Sequence, residues 1–217
     1  MNTTTPDKIT GQVMRLCERI MPGARPVFVP VHTHPDCRPN ECFLNVRAAV
    51  GFGGGRIVYG WGIWIWPGVM VEAEHHAVWE LPDGTLVDIT PKIHGERRIL
   101  FLRDDGATFD YERFRRRDNV RLALSSNPVV QEFIDAAAAM NAFLEAHSVG
   151  REIKFDREEF RPLAERALRA QHAVYDLCLE PTDFCTCGSG RQVRKCCGIE
   201  RAKRPIPRLE ASGIQPV

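Results

Sequence analysis

The stretch Arg56-Ile-Val-Tyr-Gly-Trp-Gly-Ile-Trp-Ile-Trp66 decides the fold class. Its β-branched and aromatic residues alternate with no helical period. Tyr59, Trp61, Ile63 and Ile65 fall on one face, and Gly60, Gly62, Trp64 and Trp66 on the other. A strand with no polar face is central in its sheet. Two glycines on one face mark a place where something packs closely. Outward from it, Val69–Leu81 and Thr85–Thr90 read as two more strands joined by a Pro82-Asp83-Gly84 turn, with Pro26–Val31 and Arg98–Leu102 as shorter ones.

Helices flank this core. Ile9, Val13, Leu16 and Ile20 recur at helical spacing after the start signal Thr5-Pro6. A short helix over residues 43–50 is stopped by Gly51, Gly53, Gly54 and Gly55. Asn127-Pro128 opens a helix that runs to Gly150 with a stripe including Val130, Phe133, Ile134 and Ala137. A last helix covers residues 160–179, with Pro162 placing its start late or kinking it. The expected fold is α+β: a small antiparallel sheet with N-terminal helices, two C-terminal helices and a terminal zinc knuckle. Residues 1–125 form the body, 126–181 the helical segment and 182–217 the tail.

The 217 residues suffice for one domain and an appendage. With 44% hydrophobic and 26% charged residues the chain buries a core and is not disordered. No run of about eighteen apolar residues occurs, so no membrane span is expected. The N-terminus has no apolar signal core, and a cytoplasmic protein is expected. In that setting eight cysteines read as thiols and metal ligands, not as disulfides. Cys17, Cys37, Cys42 and Cys178 are scattered. The other four are packed into Cys185-Thr-Cys187-Gly-Ser-Gly-Arg-Gln-Val-Arg-Lys-Cys196-Cys197-Gly198.

Two tight cysteine pairs supply the four thiolates that a closed tetrahedral zinc site takes, and no ligand position is left for catalysis. Gly188 and Gly190 let the backbone turn back between the pairs. So short a segment draws its folding free energy from the metal. These residues resemble the SEC-C motif, the zinc tail found on the preprotein translocase motor ATPase and on many unrelated bacterial proteins. Val193 stands where that family often has tyrosine. From Cys185 onward, Arg191, Arg194, Lys195, Arg201, Lys203, Arg204 and Arg208 against Glu200 and Glu210 give +5, which leaves −4 for the rest of a chain of net charge +1. A basic tail on an acidic body suits an anionic partner, and the resemblance implies an acidic protein or ribosomal RNA. The first functional expectation is therefore a zinc-binding protein that docks through its tail.

The second is an enzyme. Cys42 stands at the start of the predicted helix at 43–50, where a helix N-terminus favours thiolate. His75-His76 lies in one strand and Asp88 in the next. Nucleophile, base and orienting acid in that order suit thiol catalysis. The arrangement resembles the transglutaminase-like and papain-like cysteine enzymes, and the carry-over is Cys42 as nucleophile, His76 as base and Asp88 as orienter. Asp36 stands where the papain type has its oxyanion-hole glutamine, so Asn40 or Asn45 becomes the candidate donor. Strand parity leaves the histidine open. A two-residue Asp83-Gly84 turn puts Asp88 on the face of His75, whereas an odd-numbered loop puts it on the face of His76. Glu72 and Glu74 share the face of His76 and are alternative orienters.

Two further patterns remain. His32, His34 and His75 or His76 are candidate ligands of a second metal, in a metal-dependent hydrolase. The run Arg113, Arg115, Arg116, Arg117 and Arg121 alternates with Asp110, Glu112 and Asp118, which reads as a solvated helix face.

Overall fold

The computed structural model of the chain describes residues 3–92, 95–177 and 191–195. Its element order is α1 (Gly11–Ile20), β1 (Val27–Pro30), α2 (Cys42–Gly53), β2 (Arg56–Trp66), β3 (Met70–Glu80), β4 (Leu86–Val87), β5 (Arg98–Arg103), β6 (Val120–Ala123), α3 (Pro128–Ala146), β7 (Ser148–Val149), β8 (Glu152–Ile153) and α4 (Arg157–Asp176). The α+β class holds. The zinc knuckle, Cys185, Cys187, Cys196 and Cys197, and also Cys178, lie outside the described residues.

β2 and β3 form the spine, an eleven-pair antiparallel ladder in which Gly60 faces His76. β2 is central as expected, because β5 pairs with its other edge. The sheet order is β1-β5-β2-β3-β4, and β6 also pairs with β3. The two ends of this order meet. Asp88 N–H donates to the Pro30 carbonyl (2.9 Å), and His32 N–H donates to the Asp88 carbonyl (2.8 Å), a parallel bridge of Val31 with Asp88. The sheet thereby closes into a small barrel, with β1 and β4 as its joined ends.

Closure gives the alternating side chains an inside and an outside. Val29, Val58, Val78, Ile99 and Phe101 fill the inside. Val13, Leu16 and Cys17 of α1 cover the outer face around Trp61, Ile63, Val71 and Leu102. Phe43 and Val46 of α2 cover Ala77, Val87, Ile89 and Phe109. α3 and α4 pack together against Trp66, Val69 and Met70 at one end.

Several local expectations are corrected. α1 begins at Gly11, because the Thr10 hydroxyl accepts from Val13 N–H and caps the helix. α2 runs on through Gly51 and ends where Gly54 turns to φ +72°. α4 begins at Arg157, earlier than expected, because Asp156 caps Glu158 N–H; Pro162 lies inside it. The arginine run is not a helix. Residues 110–119 form a turn-rich loop held by an Asp110–Arg115 bridge, and Arg121 belongs to β6. There it is buried and donates from Nε to Glu72 at 2.7 Å. The close approach at Gly60 is that of β5. A Cβ there would meet the Leu102 carbonyl and the Phe101 ring of β5.

The loop between β3 and β4 settles the parity. Leu81 N–H donates to the Thr85 carbonyl at 2.9 Å, so Pro82-Asp83-Gly84 is a three-residue loop, and Gly84 takes φ +88°. Trp79 pairs with Val87 and Glu80 with Leu86. Asp88 therefore continues on the side of Val78 and His76, inside the barrel, while Val87 and Ile89 point out toward α2.

Candidate functional site

β3 is paired by β6 over residues 70–73 and by β4 over residues 79–80. Neither strand reaches residues 74–78. α2 sits against this gap, and its first residue, Cys42, lines a cleft of about 260 Å³ together with His76, Trp64, Glu74, Thr90 and Lys92. An outside helix thus brings its N-terminus to a histidine that points inside. The sidechain amide of Asn45, one turn on, fixes the position. It donates to the Arg38 carbonyl (2.8 Å) and to Thr90 Oγ1 (3.1 Å), while its oxygen accepts from Arg38 N–H. The start of α2 is tied in this way to the segment that carries Asp88.

His76 Nε2 lies 2.9 Å from Asp88 Oδ2. Both are buried: His76 is 5% exposed and Asp88 0%. Asp88 Oδ1 accepts from Thr90 N–H at 2.9 Å. A second cation reaches Oδ2, the ammonium of Lys92 at 2.6 Å. Burial works against the Asp88 carboxylate, but His76 and Lys92 outweigh it and hold its pKa below the ordinary value. Burial and Lys92 likewise oppose a charged His76, but Cys42 and Asp88 prevail and raise its pKa. The site therefore favours imidazolium beside carboxylate. With Nε2 committed to Asp88, Nδ1 is the ring nitrogen left to exchange a proton.

His75 does a different job. Its Nε2 donates to the Ala107 carbonyl (2.7 Å) and its Nδ1 accepts from Arg117 N–H (2.9 Å). Both nitrogens are occupied in one neutral tautomer. Burial, the leading cause, lowers its pKa. The ring packs on Phe43 with centroids 4.6 Å apart, so His75 ties the arginine loop to the core. Of the alternative orienters, Glu72 accepts from Arg121 and Asn119, and Glu74 accepts from Trp64 Nε1 at 2.9 Å. Neither replaces Asp88. Asn45 is spent on Arg38 and Thr90, which removes it as an oxyanion donor. Asn40, at φ +63°, lines the cleft, and Arg116 Nη2 donates to its carbonyl.

No group of three or more His, Cys, Asp or Glu side chains able to hold a metal occurs among the described residues. His32, His34 and the His75-His76 pair are not gathered into one. Lys92 was not signalled by the sequence, because a single lysine after a strand has no motif. No helix among the described residues is long and apolar enough to cross a membrane. Comparison of the chain with protein-family models, with curated proteins and with solved structures finds no match.

Proposed function

We propose that the body is a thiol enzyme that cleaves or transfers an amide or acyl group. Cys42 is the nucleophile, His76 the base and Asp88 its orienter. The observation that carries this reading is the buried His76–Asp88 hydrogen bond beside the cleft that Cys42 opens. In the first step Cys42 Sγ bonds to the substrate carbonyl carbon and His76 holds the thiol proton. The carbonyl π electrons move to oxygen, and the first-turn N–H of Cys42 and the Asn40 amide are the donors assigned to it. Collapse expels the leaving group, which takes the proton from His76. A water or an amine, deprotonated by His76, then attacks the thioester and releases Cys42.

Iodoacetamide labelling of each cysteine against pH, read by mass spectrometry, tests this reading. Cys42 is expected to react below pH 7 and to lose that reactivity in H76A. An ordinary thiol profile in the wild type, or an inert Cys42, would sink it.

The tail keeps its own role in this reading. Its charge of +5 from Cys185 onward and its likeness to the SEC-C motif support docking of the enzyme on an acidic protein or a ribosomal partner, with zinc held by Cys185, Cys187, Cys196 and Cys197. Pull-downs with and without residues 182–217 test it. Recovery of the same partners by both forms would end the docking role.

A further inference from the structure

A buried carboxylate in a thiol site has one task, orienting a histidine. Here one oxygen of Asp88 serves two cations. Lys92 Nζ at 2.6 Å and His76 Nε2 at 2.9 Å share Oδ2. The Lys92 side chain is 7% exposed, so its ammonium is seated in the site instead of trailing into solvent.

We propose that Lys92 is a positioning residue of the thiol site, its ammonium balancing the charge of the Cys42 thiolate through the shared Asp88 oxygen. This rests on the thiol-enzyme reading above. With Lys92 present, thiolate, imidazolium, carboxylate and ammonium sum to zero. Without it, the same buried cluster carries a net negative charge, which low-dielectric surroundings penalise. A positive charge at this position disfavours every protonated form nearby. Loss of the His76 proton moves to lower pH, and the same charge offsets that of a Cys42 thiolate in the cluster.

The other titratable groups facing the cluster are few. From β3 come Glu72, already paired with Arg121, and Glu74, which accepts from Trp64. Cys37 lies on the loop before α2, where burial raises its pKa and Asp88 adds to the rise. Glu96 and Arg116 stand at the cleft wall, and His75 is held neutral by its two hydrogen bonds. None of them touches Asp88 Oδ2, so Lys92 is the group to change.

The test compares K92M, which keeps length and loses charge, with K92R, which keeps charge and changes shape. Cys42 labelling is followed from pH 4 to 11, and the His76 ring is titrated by NMR in the same proteins. In K92M both midpoints are expected to rise by about one pH unit, the scale set by a neighbouring charge. K92R should keep the wild-type midpoints. Should K92M fail to fold, K92Q, whose amide still donates to Asp88, carries the same expectation. Unmoved midpoints in the neutral variant, or an equal rise in K92R, would overturn the role of Lys92 while Cys42 chemistry stands. An ordinary thiol profile in the wild type would bring down the enzyme reading and Lys92 with it.

Discussion

Replacing Asp88 by Asn changes one atom and dismantles two interactions. The Thr90 N–H bond survives if the amide oxygen takes the place of Oδ1. The amide NH₂ then faces two donors, His76 Nε2–H and Lys92 Nζ, where the wild type offers a shared acceptor at 2.9 and 2.6 Å. Breaking a buried ion pair by removing one partner costs about 3–5 kcal/mol. At roughly 2–4 °C per kcal/mol for a domain of this size, the melting temperature of D88N should fall by about 6–20 °C. The pH dependence is more diagnostic than the size. The folded pKa of Asp88 is depressed, so its contribution is present above the unfolded value and is lost as pH falls through the folded one. That of His76 is raised, so its contribution is complete below the unfolded value of about 6.5 and is lost as pH rises through the folded one. The stability gap between wild type and D88N should therefore be widest from about pH 4 to 6.5. It should close in acid and narrow in alkali, where the Lys92–Asp88 pair alone remains. Urea unfolding of both proteins across pH 3–10 measures it. A gap that is flat with pH, or absent near pH 6, would refute the charge network.

The two glycines of β2 should separate cleanly. G60A should cost about 3 kcal/mol in urea unfolding, because its Cβ meets the backbone of β5. G62A should stay within about 1 kcal/mol, since its Cβ finds Trp64 at 3.5 Å and His76 at 3.7 Å, ordinary contact distances. Cys17 should resist iodoacetamide at neutral pH, being fully buried with its pKa pushed up to about 11 mainly by that burial; ready labelling in folded protein would show that α1 does not cover the sheet as described. Elemental analysis should find one zinc per chain, lost in the Cys185→Ser, Cys187→Ser double variant with no change in body melting. A wild type without zinc would end the tail assignment.

The sheet was legible where periodicity is strong. β2 and the start of α3 stand at the residues that alternation and the Asn127-Pro128 cap predict, because those signals are local. Barrel closure was not legible. It rests on two hydrogen bonds between residues far apart in sequence, Pro30–His32 and Asp88, with no side-chain pattern to announce them. β6 was hidden because its Arg121 reads as a solvent-facing charge, and only the partner Glu72 across the ladder makes it a buried one. The histidine choice turned on one loop residue. Lys92 left no trace, since the chemistry of a lone lysine comes entirely from what surrounds it.

The stretch from Thr85 to Asp88 behaves like a reading frame. A residue lost or gained within Pro82-Asp83-Gly84 is absorbed by the loop, because the Leu81–Thr85 pair closes it and the residues beyond keep their partners. A residue lost or gained between Thr85 and Asp88 leaves every downstream amino acid intact and yet exchanges inside for outside, unless a bulge takes it up. Asp88 would then turn toward the apolar underside of α2, and Val87 or Ile89 would meet the imidazole. The spacing counted from the closing pair, and not the spacing counted from His76, is therefore the ruler for recognising this site after the surrounding letters have diverged.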